Sequence, residues 1–166
     1  KMELDMDLNK KRGTGQLFKT SLEKSLFSSH AACIKSIDAR LSKLRKKYLK
    51  NEIKDIGALE RLKETLLKIR PTDFSRYQKL LELLRSPLYG WDRNATDARI
   101  VIFTERIETM KYLVEHLKKD LGLKDNSIQN ISGGMSDTEQ QQIVENFCRS
   151  ESPIRILVAS DVASEG

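Results

Sequence analysis

The sequence is poor in the features that mark secreted, metal-binding and membrane proteins. Its two cysteines, Cys33 and Cys148, lie far apart and lack the spacing of a metal site, so we expect unpaired thiols in a reducing compartment. No apolar run approaches the roughly 20 residues of a membrane span. The opening stretch, KMELDMDLNKKRGTGQ, lacks the apolar segment of a signal peptide. We therefore expect a cytoplasmic protein (nucleoid-associated if bacterial) that has no metal site and no membrane contact.

Positive charge is in excess, and it is unevenly distributed. Residues 1–98 carry 22 basic and 13 acidic side chains, a net charge of +9, whereas residues 99–166 carry 8 and 11, a net charge of −3. An excess of this size indicates an anionic partner for the first part of the chain. Basic residues on solvated helix faces produce the same composition, so charge alone leaves both interpretations open.

The first part of the chain has helical periodicity. Residues 1–16 are polar and patternless, and we expect them to be disordered. Beyond them apolar residues recur at spacings of three and four, which predicts amphipathic helices. The three stripes are Ile34, Ile37, Leu41, Leu44 and Tyr48; Leu59, Leu62, Leu66 and Ile69; and Leu80, Leu81 and Leu84. Pro71 and Pro87 end the second and third stripes. The sequence predicts a helical region over 17–90, an antiparallel hairpin plus a third helix, and then a linker over 91–98.

The pattern changes to alternating strands and helices over residues 99–166. IVIF is a short apolar run typical of a strand buried on both faces, and SIQNIS and IRILVAS are two further strands. A helix closed by Gly122 separates the first two strands. A second helix follows GGM, where Ser136 and Glu139 have the spacing of a capping box. This order predicts an α/β fold with a three-stranded parallel sheet and flanking helices.

Three loops follow the predicted strands, at the sheet edge where ligands of parallel sheets bind. Their polar and small residues are Thr104; Gly133 and Gly134; and Ser160, Asp161, Glu165 and Gly166. Hydroxyls, free backbone N–H groups and glycines are suited to holding a phosphate. Taken singly, the Thr, Ser and Asp residues are also typical helix caps. Both roles stay open at this point.

These stretches resemble the second RecA-like domain of superfamily two helicases and translocases. The resemblance lies in RIVIFTERIETMKYL, ISGGMSDTEQQQIVENF and IRILVASDVASEG, which are similar to the stretches called motifs IV, IVa and V. ASDVASEG resembles the bacterial branch of Swi/Snf-type ATPases, including RapA-like proteins. LEKSLFSSHAACIKSIDARL is similar to the segment that precedes the domain in that branch. The resemblance covers roughly residues 20–166 and implies a partial RecA-like sheet and ATP-driven translocation on double-stranded DNA.

The resemblance also assigns roles to individual residues. It implies nucleic-acid phosphate contacts for Thr104, Glu105, Arg106, Gly133, Gly134 and Ser160. It implies coupling to the ATP cleft for Asp161, Glu165 and Gly166. Two positions depart from the family pattern, because Gln140 or a neighbouring glutamine stands where an arginine is usual, and Ser132 stands where a histidine often precedes the glycines. These departures affect local contacts rather than the fold.

The machinery of ATP hydrolysis is incomplete in this sequence. It contains no GxxxxGK[ST] loop and no DEAH-like acidic box, and in the family the cleft arginines come from a motif after motif V. We expect ATP and Mg to serve the parent protein, with neither bound to this chain alone. We also expect no catalytic residue here and no ATPase activity of the isolated chain. Its first residue, Lys rather than Met, agrees with an excised piece of a longer protein.

Function is therefore predicted as one part of an ATP-dependent DNA or RNA translocase. The expected partners are nucleic acid (double-stranded DNA first), the first RecA-like domain of the same polypeptide, and RNA polymerase or another protein. One alternative is a non-enzymatic module in which a basic helical arm docks on its partner and the α/β part is a scaffold. Another is a nucleotide-binding α/β domain of a different kind, such as half of a glycosyltransferase.

Overall fold

The chain divides into two compact units, Lys1–Lys68 and Ile69–Gly166. The structure, a computed structural model, describes residues 2–47, 53–89, 91–92, 94–95 and 97–160, without the side chains of 2–14, 47, 53 and 54. The helical unit contains α1 (Met2–Ser28), α2 (His30–Lys47) and α3 (Ile53–Leu67). The α/β unit contains α4 (Ser75–Arg85), β1 (Ile100–Thr104), α5 (Ile107–Asp120), β2 (Ile128–Ile131), α6 (Asp137–Cys148) and β3 (Ile156–Ser160). Within the described ranges, no helix is long and apolar enough to cross a membrane.

The helical unit is an antiparallel arrangement of its three helices. Between α2 and α3, Lys63 Nζ lies 2.6 Å from Asp38 Oδ1 and Arg45 donates a 2.6 Å hydrogen bond to Glu60. As residue numbers rise along α2 they fall along α3, which confirms the predicted antiparallel hairpin. Its core includes Cys33, Ile37, Leu41, Leu44, Leu59 and Leu66. The predicted stripe residue Tyr48 lies outside the described residues.

Helix α1 extends the hairpin to three helices. The hydroxyls of Ser25 on α1 and Ser36 on α2 lie 2.8 Å apart, and the Arg40 guanidinium lies 5.1 Å from the centroid of the Phe18 ring. The backbone helix begins at Met2, ahead of residue 17, where the apolar periodicity starts. Residues 2–16 contain no proline and several residues with good helix propensity, which permits a helix without an apolar stripe. The predicted domain limits at 16, 90 and 98 stay predictions.

The sheet of the α/β unit is parallel and has the strand order β1-β3-β2. This confirms the predicted α/β fold class, a partial RecA-like sheet with flanking helices. Helix α5 packs on all three strands, and α6 lies against the opposite face at Ile131, Leu157 and Ala159. The central strand β3 is buried at all five positions. Its burial on both faces follows from a helix on each face and a strand on each side.

Strand β1 differs from the sequence expectation. The prediction of burial on both faces is wrong for this strand, since Val101 is 39% exposed and Phe103 is 74% exposed. Both residues point to the sheet face on which α6 packs, because they pair with Leu157 and Ala159. The α6 core lies over β2 and β3 rather than over β1. An apolar run indicates a strand but does not reveal whether that strand is central or at an edge.

The end of α5 is fixed by a glycine in the left-handed region. Gly122 has φ 62° and follows the C-cap residue Leu121. The N–H of Gly122 donates to the Lys119 carbonyl at 3.2 Å, and the N–H of Leu123 donates to the Lys118 carbonyl at 2.9 Å. These two bonds form a Schellman motif, in which glycine avoids the steric cost of a positive φ. The predicted helix end at Gly122 is confirmed.

Candidate nucleic-acid interface

The sheet brings the three predicted loops to one edge. Thr104, the last residue of β1, is the direct Cα partner of Ser160, the last residue of β3. On the other side of β3, Ile131 pairs with Ala159, so the glycine loop leaves β2 beside the same strand end. Adjacent strands lie about 4.8 Å apart. Thr104, Glu105, Arg106, Gly133, Gly134 and Ser160 therefore all lie along the carboxyl edge of one small sheet.

Ser160 carries a buried hydroxyl that the described residues leave unpaired. Its side chain is 1% exposed, and its Oγ has no hydrogen-bond partner in the described part of the chain. Buried polar atoms are nearly always hydrogen-bonded, because an unpaired one loses its interaction with water without compensation. Its neighbour Thr104 is half-buried. Two hydroxyl residues thus lie side by side at this edge, and the hydroxyl of the buried one, Ser160, has no partner among the described residues.

The start of α5 shows that Thr104 does not cap this helix. The N-cap is Arg106, which has extended backbone angles and gives no side-chain cap hydrogen bond. The capping role that the sequence left open for Thr104 is therefore wrong for α5. Glu105 is exposed, and Glu108 lies in the first turn of the helix. Phosphate contacts here would come from hydroxyls and backbone N–H groups, with Arg106 as the one basic side chain among the predicted contact residues.

Helix α6 begins with a complete cap. Ser136 Oγ accepts a 3.3 Å hydrogen bond from the N–H of Glu139, and the Glu139 carboxylate accepts a 2.8 Å bond from the N–H of Ser136. The backbone hydrogen bond, followed by the Ser136 hydroxyl, lowers the pKa of Glu139. This confirms the predicted capping box. The cap fixes the point at which the glycine loop joins α6.

The glycine loop is a tight turn with open space beside it. The N–H of Met135 donates a 3.0 Å hydrogen bond to the Ser132 carbonyl, which places Gly133 and Gly134 at the two central positions. Among the described glycines, Gly122 is the one with positive φ, so the turn does not require glycine for its backbone angles. A Cβ added at Gly134 would meet nothing within 4 Å. Neither the backbone angles nor the packing of the described residues therefore requires glycine at this position.

Gln140 supports this turn from α6. Its Nε2 donates to the Met135 carbonyl at 3.0 Å and to the Ser132 carbonyl at 3.3 Å, so one amide bridges both ends of the turn. The sequence identified Gln140 only as a departure from an expected arginine and missed this role. A glutamine five residues after a turn carries no local signal of such a bridge. The amide positions the turn without adding charge.

The remaining predicted site residues, Asp161, Glu165 and Gly166, lie outside the described residues. Within the described ranges, no group of His, Cys, Asp or Glu residues is arranged to hold a metal ion. The sequence also has no phosphate-cradling GxxxxGK[ST] loop.

A known protein family matches most of the α/β unit. Residues 75–166, more than half of the chain, match the helicase conserved C-terminal domain family. The chain belongs to this helicase family. The match begins at Ser75, the first residue of α4, and so includes a helix that packs with the α/β unit. The helicase C-terminal domain of this chain thus carries the whole candidate interface.

One curated relative adds a functional context. The human protein described as probable ATP-dependent RNA helicase DDX43 is 27% identical over 112 residues, which cover 68% of this chain. The match spans only 15% of that relative. No solved structure gives a significant match. The comparisons therefore place the chain among superfamily two helicases.

Proposed function

We propose that this chain contributes the nucleic-acid-contacting part of the second motor domain of an ATP-dependent helicase or translocase. Its helicase C-terminal domain would hold a phosphate backbone along the carboxyl edge of the sheet. Thr104 and Ser160 would contact phosphate through their hydroxyls, and the turn at Gly133 and Gly134 would contact it through backbone N–H groups. Such contacts position a nucleic acid without reading its sequence.

The observation that carries the proposal is the pairing of Thr104 with Ser160. Parallel register sets the two residues side by side at one strand end, and the Ser160 hydroxyl is buried without a partner among the described residues. A phosphate oxygen would accept a hydrogen bond from that hydroxyl and remove the cost of leaving it unpaired. The open space at Gly134 supports a ligand that runs along the same edge.

ATP binding and hydrolysis would require the first RecA-like domain of the same polypeptide. That domain would supply the phosphate-cradling loop and the magnesium carboxylate, which this sequence does not contain. We propose that Asp161, Glu165 and Gly166 transmit the state of the nucleotide to the phosphate contacts. ATPase activity of the chain alone is expected to stay at background.

The identity of the polymer is a separate proposal. The resemblance to the Swi/Snf-type RapA-like branch favours double-stranded DNA, whereas the curated relative is described as an RNA helicase. The comparisons support the superfamily and give no support to that branch. Hydroxyl and N–H contacts to phosphates serve either polymer. Competition between unlabelled duplex DNA and RNA for the same chain distinguishes them.

Ser160→Ala tests the proposed phosphate contact. Removing an unpaired buried hydroxyl should leave stability unchanged or raise it, because no folded-state hydrogen bond among the described residues is lost. The same change should weaken nucleic-acid binding in an anisotropy titration. Ser127→Ala, which removes a buried serine next to the opposite end of β2, is the matched control. Unchanged affinity of a stably folded Ser160→Ala variant would contradict the proposal.

A further inference from the structure

Helix α2 of the helical unit has an outer face made only of lysines and small residues. Its buried stripe, which includes Cys33, Ile37, Leu41 and Leu44, faces the other helices of the unit. On the opposite side the helical repeat places Lys35, Ala39, Ser42, Lys43 and Lys46, all of them exposed. We call these five residues the lysine face. It contains no acidic and no aromatic side chain.

The charges of the lysine face are not used within the fold. None of its three lysines forms an ion pair or a side-chain hydrogen bond with the described residues. In contrast, Arg45 and Asp38 point toward α3 and are paired with Glu60 and Lys63. The acidic side chains that could neutralise α2 are thus directed to its inner side. Three unpaired positive charges remain on one exposed surface.

The dimensions of this face match a phosphate backbone. Lys35 and Lys46 are eleven residues apart, which is about three helical turns and about 16 Å along the axis. A nucleic-acid duplex carries one negative charge for about every 1.7 Å of its axis, so a duplex segment of this length carries about ten phosphates on its two strands, some of which face the helix. The small side chains of Ala39 and Ser42 project little from the helix between the lysines. A phosphate backbone can therefore approach the helix closely and be reached by the long lysine side chains.

We infer that the lysine face is a second nucleic-acid contact, separate from the strand-end interface, that binds the backbone of a duplex. A duplex is the expected form because its charge is dense and its bases are stacked inside. Single strands are usually held by aromatic side chains on which bases stack, and the face has none. Lysines bind phosphate as flexible point charges, which suits contact without sequence recognition.

The test compares two triple variants of the full chain. In the first, Lys35→Gln, Lys43→Gln and Lys46→Gln remove the charges of the lysine face. In the second, Lys24→Gln, Lys119→Gln and Lys124→Gln remove the same net charge from exposed positions elsewhere. Circular dichroism melts verify that both variants fold. Binding to a short fluorescein-labelled duplex is measured by anisotropy across a salt series, with DNA and RNA duplexes in separate arms.

The expected result is specific to the first variant. Its affinity at low salt should fall about tenfold or more, and the slope of log K against log salt should become shallower by about 0.9 per lysine. The control should keep its slope. A further variant that keeps the charge, with Lys35→Arg, Lys43→Arg and Lys46→Arg, should keep the affinity of the unchanged chain. The unchanged chain is expected to bind the DNA duplex, the RNA duplex or both, since both polymers have a phosphate backbone.

Three outcomes would overturn the inference. An equal loss of duplex affinity in the control variant would show that net charge, and not the lysine face, causes the loss. Tighter binding of a single strand of equal charge would exclude a duplex contact. Equal competition by a polyglutamate peptide would assign the face to an acidic protein partner. Since the lysine face lies in the helical unit, loss of binding in Ser160→Ala tests the strand-end interface independently.

Discussion

The phenolic oxygen of Tyr77 on α4 donates a 2.6 Å hydrogen bond to Oδ2 of Asp120, the last residue of α5. Arg85 adds a 2.9 Å bond to the Asp120 carbonyl. The Tyr77 ring also makes edge contacts with Tyr112 and His116 on α5. Together these contacts attach α4 to the helix that covers one face of the sheet. They give a physical reason why α4 belongs to the helicase C-terminal domain rather than to the helical unit.

Tyr77→Phe should destabilise the α/β unit by about 1–2 kcal/mol, because it removes a hydrogen bond to a carboxylate while keeping the ring. Tyr89→Phe is the matched control, since Tyr89 is 66% exposed and should tolerate the loss of its hydroxyl. Urea unfolding followed by circular dichroism measures both. Equal midpoints for Tyr77→Phe and the unchanged chain would show that the bond contributes nothing.

The contacts among Tyr77, Tyr112 and Asp120 predict that the α/β unit loses stability at alkaline pH. Burial, followed by the bond to Asp120, raises the pKa of Tyr77, and burial raises the pKa of Tyr112 to about 12. An unfolded tyrosine titrates near pH 10, so the stabilisation is fully present below about pH 10 and is lost as the pH rises above it. Tyr77→Phe should flatten this decline in unfolding curves measured from neutral pH upward. If the stability of the Tyr77→Phe variant fell as steeply with rising pH as that of the unchanged chain, the decline could not be assigned to Tyr77.

Gln140→Ala should loosen the glycine turn without unfolding α6. The change removes both hydrogen bonds that the amide donates to the Ser132 and Met135 carbonyls. Faster hydrogen exchange at Met135 and weaker nucleic-acid binding are expected together. Gln141→Ala is the control, because among the described residues its side chain bonds only to exposed Glu145 on the same helix. If both variants gave the same exchange rates and affinities, Gln140 would have no positioning role.

Two glycine-to-alanine changes should have opposite effects. Gly122→Ala forces a side chain into the left-handed region and should cost about 1 kcal/mol. Gly57→Ala, inside α3, should be neutral or stabilising by up to about 1 kcal/mol, since its Cβ would meet only the flexible end of Arg61 at 3.4 Å. Thermal melts of the two variants measure the difference. Equal shifts of the same sign would refute this account of Gly122.

Local patterns predicted the parts of this protein that local physics determines. The strands, the capping box at Ser136 and the helix end at Gly122 depend on neighbouring residues, and all were predictable. The edge position of β1 depends on which strand lies beside it, so the exposure of Phe103 could not be derived from IVIF alone. The Tyr77–Asp120 bond joins residues 43 apart, a separation over which periodicity carries no information.

Some features of the candidate site were likewise predictable from the sequence, and others depend on three-dimensional packing. The rule that parallel-sheet ligands bind at strand ends predicts Thr104, Gly134 and Ser160 from the sequence alone. The unpaired hydroxyl of Ser160 and the bridge from Gln140 required three-dimensional packing. The roles of Asp161, Glu165 and Gly166 stay predictions, because these residues lie outside the described part of the chain.

The central claim is that nucleic acid lies against the glycine turn at the carboxyl edge of the sheet. The most direct measurement is the duplex affinity of Gly134→Ala and Gly134→Leu, with Gly15→Ala and Gly15→Leu as controls at a helical glycine that also has open space. Affinity should fall with side-chain size at position 134, by about tenfold or more for leucine, while the thermal midpoint stays unchanged. A folded Gly134→Leu variant that binds as tightly as the unchanged chain would contradict the account.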